Sequence, residues 1–278
     1  MNSFANHNTS FNANDPQPDH PGNRRSEFVL GAERAAMYRT DPRFGAFPPV
    51  TKVVIVRAPD GDQLRTQITG RKSIRTIGYP SKKMSRNRYA EGATEILRLP
   101  EEEVRVDIVK AIAQPLRVEA LVGGAWWSHL PDFSNLMADG SRVLIDAKRH
   151  WSDFRRPEAR KQSFLGQLAA DAIGYRYERI VLANAGGQQR RENIDEIQAS
   201  RFVHVPKHLI ARAAAAVSRG PISLGSLASM LHPINGRSMA YALMVQRVVE
   251  IDLEARLTER SECRAVPPLR LAMPSLRR

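Results

Sequence analysis

The sequence predicts an α/β protein: a mixed β-sheet flanked by helices, followed by a small, mainly helical C-terminal domain. Three observations carry this. Residues 104–148 read as consecutive short strands parted by turn signals, Gln114-Pro115, Gly123-Gly124 and "ADGS" at 138–141. Residues 157–201 give a helix, a short apolar strand and a second helix, the order that lays helices on a sheet. Residues 206–253 have helical spacing, with one strand at their end.

Composition bounds the rest. The chain has 278 residues, enough for one large domain or two modest ones, and its hydrophobic content of 42% is that of a globular core. The formal charge is +13. Such an excess suits a polyanion, nucleic acid first, although an anionic membrane or an acidic protein also meets it. The single cysteine, Cys263, excludes an intrachain disulfide and a Cys-based zinc cluster. No run approaches the roughly 18 apolar residues of a membrane span, and the polar N-terminus lacks a signal-peptide core, so an intracellular protein is expected.

Taken in order, residues 1–25 are rich in Asn, Asp, Pro and His and are expected to be disordered. Residues 26–69 form an N-terminal extension. In it "EFVLGAERAAMYR" admits a short helix, and "KVVIVRAPDGDQLRTQI" reads as a hairpin turning at Asp60-Gly61. "GRKSIRTIGYPSKKMSRNRY" is a basic loop, either a solvated connection or a DNA-contacting segment. "NRYAEGATEILRL" is helical and stops at Pro100, with Glu91 and Glu95 one turn apart. Strands follow at "VRVDIVKAIAQP", "LRVEALV", "AWWSHLPDF" and "RVLIDAK", a β-meander fed by one helix. Residues 206–263 make the C-terminal domain, beginning with a helix that Pro206 opens and Gly220 stops, and 264–278 a basic tail.

The run "HLPDFSNLMADGSRVLIDAKRH", residues 129–150, puts two aspartates and a lysine among strand-formers. On a strand, side chains two apart share a face. Asp146 and Lys148 therefore point one way, and Val143, Ile145 and Ala147 the other, into a core. Asp132 ends the preceding strand and is joined to them through the Asp139-Gly140 turn. If the strands pair, Asp132 and Asp146 converge on one hard cation. Mg²⁺ takes such carboxylates, with water and substrate phosphate completing its shell. Lys148 then lies where it can orient an attacking water, which makes a site for phosphodiester hydrolysis. The alternative is a surface hairpin whose salt bridge is worth little.

Five ordered motifs extend this pattern: Ser81 and Lys83 in a basic loop; Tyr89, Glu91 and Glu95; Gln114-Pro115; Pro131-Asp132-Phe133; and Asp146-Ala147-Lys148. Over residues 70–205 they resemble the N-terminal domain of TnsA-like transposon endonucleases. These are members of the PD-(D/E)XK superfamily, whose fold is that of restriction endonucleases. The resemblance implies an active site of Glu95, Asp132 and Lys148. Asp146 takes the acid position that some relatives fill with Gln. Glu95, Asp132 and Asp146 would hold Mg²⁺ or Mn²⁺, and Lys148 would place the water. Glu91 matches a recurrent glutamate better suited to support than to ligation. Gly92 departs from the serine usual in relatives and is expected to loosen the helix. The implied activity is metal-dependent cleavage of double-stranded DNA at transposon ends, leaving 5′-phosphate and 3′-hydroxyl. The implied partners are a DDE-type transposase subunit and an ATP-dependent regulator, and the implied location is the bacterial cytoplasm, at the nucleoid.

"LGSLASMLHPINGRSMAYALMVQRVVEIDL" resembles a small winged-helix unit. Its second helix, from near Arg237, would offer Ser238, Tyr241 and Arg247 outward to a DNA groove, or the unit would dock protein. Two other function classes share the same residues: a stand-alone nuclease of defence or repair, and a non-catalytic DNA-binding or assembly subunit. His129 and His150 flank the catalytic strands as solvated edge residues or phosphate contacts. Trp126 and Trp127 face opposite sides of their strand, and Gln114 is expected to close its own by hydrogen bonding.

Overall fold

One long, bent hairpin organises the molecule, a computed structural model that describes residues 22–29, 47–64, 76–181 and 186–270. The outgoing arm is β5 (Ile108–Ala113) continued by β6 (Leu116–Val122); the returning arm is β7 (Ala125–His129) continued by β8 (Phe133–Met137). β6 pairs with β7, and β5 pairs with β8. Both arms bend at the same level, at Gln114-Pro115 and Leu130-Pro131-Asp132. Gln114 has φ 43°, unusual for a residue with a side chain, and its N–H donates to the Asp132 carbonyl at 2.8 Å. The bend sends the two halves into different sheets.

The first sheet is antiparallel, in the order β1 (Arg24–Val29), β2 (Val50–Arg57), β6, β7. The second runs β10 (Arg176–Val181), β9 (Arg142–Lys148), β8, β5, with β10 parallel to β9 and the others antiparallel. A 3₁₀ turn (Trp151–Arg155) and α2 (Pro157–Ile173) make the crossover between β9 and β10. Phe164, Leu165 and Leu168 of α2 pack between the two sheets, against Ile55, Val118 and Leu144. A separate hairpin, β3 (Thr76–Ser81) and β4 (Arg86–Glu91), leads into α1 (Ala93–Val104). Leu99 of α1 packs on Phe133, Val143, Ile145 and Ala147, the face of the second sheet turned away from α2.

Several expectations change. The hairpin over 52–68 does not form as expected, because β1 and β6 occupy both edges of β2; residues 65–68 lie outside the described set. Arg24 and Arg25, placed in the disordered segment, pair in β1, as do residues 27–29, the expected start of the short helix over 27–39; residues 1–21 and the rest of that stretch, 30–39, lie outside the described residues. From residue 76 on, the basic loop is the β3–β4 hairpin, whose turn is held from inside; residues 70–75 of it lie outside the described residues. Glu103 accepts from Ser81 Oγ at 2.5 Å and from the Lys82 and Lys83 N–H groups at 2.6 and 3.0 Å. Lys83 does not reach for DNA: its Nζ donates to the Glu102 and Arg105 carbonyls at the end of α1. Burial pulls its amine down to about 7. The strands 104–148 are two nested hairpins rather than a meander, since β5 pairs with β8.

α1 does not stop at Pro100 but runs on to Val104. An internal proline costs about 3 kcal/mol. The following three glutamates are each tied to a different neighbour. Glu101 meets Arg190, Glu102 meets Arg88 and Asn135, and Glu103 holds the β3–β4 turn. Glu91 is in β4, not on the helix. Gly92 joins the two elements at φ 84°, ψ 157°, a region that glycine enters at little cost. It makes the junction rather than loosening the helix.

The C-terminal elements run α4 (Lys207–Ser218), β11 (Ile222–Ser223), α5 (Leu224–Leu231), α6 (Gly236–Val245), β12 (Val249–Ile251) and β13 (Glu262–Ala265), with strand order β11-β13-β12. Arg264 and Ala265 thus belong to a central strand and not to a tail, as does buried Cys263. Before them, α3 (Gln188–Ala199) joins the two halves. Ile194 and Ile197 share a core with Leu227, Leu243 and Val104. α6 has no exposed residue. Tyr241, expected outward, is buried and bonds Glu196 of α3 at 2.7 Å, and Arg247 Nε donates to the Val106 carbonyl at 2.6 Å.

Candidate active site

The four expected residues come from three elements that meet at the bend. Glu95 stands in the first turn of α1, Asp132 at the corner before β8, and Asp146 and Lys148 at the end of β9. Asp132 is fixed by the strand beside it: the Ala147 N–H donates to its Oδ2 at 2.7 Å. Glu95 is fixed by the junction before it, with Oε2 accepting the Glu91 N–H at 3.2 Å. Asp132 Oδ1 and Glu95 Oε1 accept no hydrogen bond among the described residues.

Neighbouring carboxylates act on both groups. Burial, then the charge of Asp132, pushes Glu95 up to about 8, against the pull of Lys148. Burial, then the charge of Asp146, pushes Asp132 up to about 6. Lys148 Nζ is in no ion pair among the described residues and lies 6.0 Å from the centre of the Phe154 ring. Beside it opens a cleft of 590 Å³, lined by Lys148, Arg149, His150, Arg156 and Gln162 among others. Asp153 and Glu158 line it too, and Asp153 pairs with Arg156 at 3.0 Å, so Lys148, Arg149 and His150 are the groups left to suit an anionic substrate.

Asp146 is placed differently from the expectation. By strand alternation it shares a face with Leu144, on the side of α2, whereas Val143, Ile145 and Ala147 face α1. Its carboxylate is fully buried and already bonded: His129 Nε2 lies 2.9 and 3.0 Å from its two oxygens, and the Tyr177 hydroxyl donates to Oδ2 at 2.6 Å. Burial works to raise its pKa, but the His129 and Tyr177 contacts outweigh it and hold the carboxyl below its ordinary range. Gly166 of α2 makes room for this, since a Cβ there would lie 2.4 Å from the Tyr177 ring.

His129 is therefore no solvated edge residue. It is buried, as the register partner of buried Val118. That register was the signal: the inward face of β7 carries Trp127 and His129, while Trp126 is 56% exposed. Tyr177, two residues beyond the "GY" of 174–175, carried no signal of its own. His150 is exposed at the mouth of the cleft.

Among the described residues, no three His, Cys, Asp or Glu side chains already stand as a metal-binding group. The donor set nevertheless fits a hard divalent cation. Glu95 and Asp132 each keep one free oxygen, and burial and a neighbouring carboxylate push both up further than Lys148 pulls them down. Asp146, with its oxygens bonded to His129 and Tyr177, fits less well than either.

A pH dependence of stability follows. Glu95 moves from 4.5 to about 8 on folding, and Asp132 from 3.8 to about 6. Between those values the native state holds more protons than the unfolded chain, so stability without divalent cations should fall as pH rises from about 4 to 8. Glu95→Gln should remove much of that slope. At pH 8 in EDTA it should raise the melting temperature by roughly 2–4 °C for each kcal/mol recovered, with little gain at pH 5. Thermal melts across pH check this; an unchanged slope in the variant would refute it.

No protein-family model matches the chain, and the curated proteins contain no match to it. Among the described residues, no helix is long and apolar enough to cross a membrane.

Proposed function

We propose that this chain is a metal-dependent endodeoxyribonuclease, acting as the TnsA-like subunit of a transposase that cleaves double-stranded DNA at transposon ends. The observation that carries the reading is the meeting of Glu95, Asp132 and Lys148 from three separate elements at the strand bend. The two carboxyls are half-buried and pushed up, each keeps one oxygen free of hydrogen bonds, and the lysine is in no ion pair among the described residues. A surface hairpin with an incidental salt bridge would leave these groups solvated.

In this reading the core is restriction-endonuclease-like, with α1 and the β8–β9 hairpin carrying the site. Glu95 and Asp132 would hold Mg²⁺ or Mn²⁺ through their free oxygens. Such a cation acidifies water and compensates charge on phosphate oxygens. The chain's own residues do the rest. The Ala147 N–H keeps Asp132 aimed. Lys148, near these carboxyls but in no ion pair among the described residues, orients a water for in-line attack. The basic mouth of the cleft binds the phosphates on either side. Asp146, gripped by His129 and Tyr177, anchors the end of β9 and so the position of Lys148.

The C-terminal unit follows the winged-helix order of helix, strand, two helices and two strands. The helix that would enter a groove is α6; its Tyr241 is committed to α3, and Arg247, just past its end, to Val106. That favours the docking role for this unit over groove recognition, with the DDE-type transposase and the ATP-dependent regulator as its proposed partners.

Cleavage of supercoiled plasmid, with and without the partner transposase, tests the proposal. Nicked or linear product should form with Mg²⁺ or Mn²⁺ and not in EDTA. DNA affinity should fall about a thousandfold or more between roughly 50 and 200 mM salt if six or more phosphates are contacted. No cleavage in any combination, or a flat salt response, would refute it.

A further inference from the structure

At the other end of β9 from Lys148, arginines from four strands gather around one ring. Arg24 opens β1 and Arg57 closes β2, and the two are direct cross-strand partners. Arg142 opens β9 and Arg176 opens β10. Tyr175 carries Arg57 and Arg142 on its ring, 5.8 and 5.7 Å from the centre. Arg176 donates to Ser141 Oγ, beside Arg142, at 3.2 Å. Arg24, Arg142 and Arg176 are exposed.

Among the described residues the cluster is only weakly compensated, by Glu178 and by Asp139, both at Arg176. Its nearest acid is Glu178, itself exposed and 3.9 Å from Arg176. Among the described residues, Arg24, Arg57 and Arg142 are in no ion pair. Like charges directly opposite each other destabilise a strand pair. The same two strands avoid this elsewhere: Glu27 meets Lys52, and Arg25 meets Glu119 on β6, each at 2.7 Å. Only this end is left with arginine facing arginine. A guanidinium held over a ring keeps its N–H donors available, and a guanidinium's planar fork suits phosphate.

We propose that this cluster is a second nucleic-acid site, which holds the phosphate backbone of duplex DNA flanking the cleaved bond. The choice of DNA over an acidic protein rests on the nuclease reading; the cluster itself does not. Six residue steps along β9 separate Arg142 from Lys148, about 20 Å at roughly 3.3 Å per residue. Arg24, Arg57 and Arg176 are thus outside the cleavage site. The same distance along B-form DNA is about six base pairs at roughly 3.4 Å each.

The test uses the full chain carrying Asp132→Asn, so that DNA is bound and not cut, with and without Arg24→Gln, Arg142→Gln and Arg176→Gln together. Duplex binding is followed by anisotropy across salt. The triple change should weaken binding at least about tenfold near 0.1 M salt and flatten the slope of log affinity against log salt by about 2 to 3. Its melting temperature should hold or rise, because like charges are removed. In the cutting protein, with Asp132 unchanged, the triple change should raise KM for plasmid and spare kcat. Arg142→Gln alone, at an exposed strand end, gives a smaller loss of the same kind should the triple variant fold poorly. Unchanged duplex affinity in folded variants overturns the proposal. So does loss of poly-glutamate binding with duplex binding intact, which would make the cluster a protein-docking surface. Loss of DNA affinity in a protein that never cuts leaves the cluster standing and removes the nuclease reading.

Discussion

Asp132→Ala should reduce DNA cleavage by at least about a thousandfold, since each 1.36 kcal/mol of lost transition-state stabilisation is a factor of ten. Asp132 is the carboxylate at the bend, aimed by the Ala147 N–H and electrostatically coupled to Glu95. Removing it leaves one open carboxylate where the proposed cation needs at least two, and several kcal/mol rest on charge compensation at such centres. DNA binding in EDTA should survive or improve, because a negative charge facing phosphate is gone. Lys148→Ala should stop cleavage equally but keep Mn²⁺ affinity, since an ammonium is no ligand. Calorimetric Mn²⁺ titration and a nicking assay separate the two effects. Near wild-type cutting by folded Asp132→Ala would end the nuclease assignment.

The second large effect concerns stability. Arg88 of β4 and Glu102 of α1 form a buried pair, with Glu102 fully shielded and also bonded to Arg98 and Asn135. Burial works to raise the Glu102 pKa, but Arg88 and Arg98 together hold it below the ordinary carboxylate range. Arg88→Met would strand much of that charge, which costs about 3–5 kcal/mol for such pairs. The melting temperature should fall on the order of 10 °C. Adding Glu102→Leu should recover part of the loss, because the stranded charge goes too. Equal losses in single and double variants, by urea unfolding, would show that Arg88 acts through packing on Phe133 rather than through charge.

Strand and helix succession was legible because periodicity and turn residues are local. Gly123-Gly124 and Asp139-Gly140 turn the chain where expected, and α2 to α6 stand where the spacing puts them. Three features were not legible, each because a distant partner decides it. Gln114 takes a positive φ only because both arms of the hairpin change sheets together. Pro100 fails to end α1 because Glu101, Glu102 and Glu103 find partners in α3, β4 and the β3–β4 turn. The amphipathic pattern of α6 marks one buried face, but α3 covers the other, as the Tyr241–Glu196 bond records.

The site shows the same division. Asp132, Asp146 and Lys148 can be picked out from spacing, and Glu95 from resemblance. The partners that decide how Asp146 is used, His129 and Tyr177, lie in strands whose inward faces only register reveals. Alternation put Asp146 and Lys148 on one face, which holds. It did not say that α2 would close over the Asp146 end of that face.

The bent hairpin also bears on the order in which the chain assembles. Its own contacts, and those of β8 with β9, join neighbours in sequence, whereas β2 reaches β6 by pairing Arg57 with Leu116 and Val50 with Val122. Short loops close faster than long ones. Amides of residues 108–148 should gain protection before those of 50–57 in pulse-labelled refolding, and the reverse order would contradict this. The corner that aims Asp132 would then exist before the outer strands dock, with the first sheet growing onto a nucleus that already contains two of the three residues of the proposed catalytic centre.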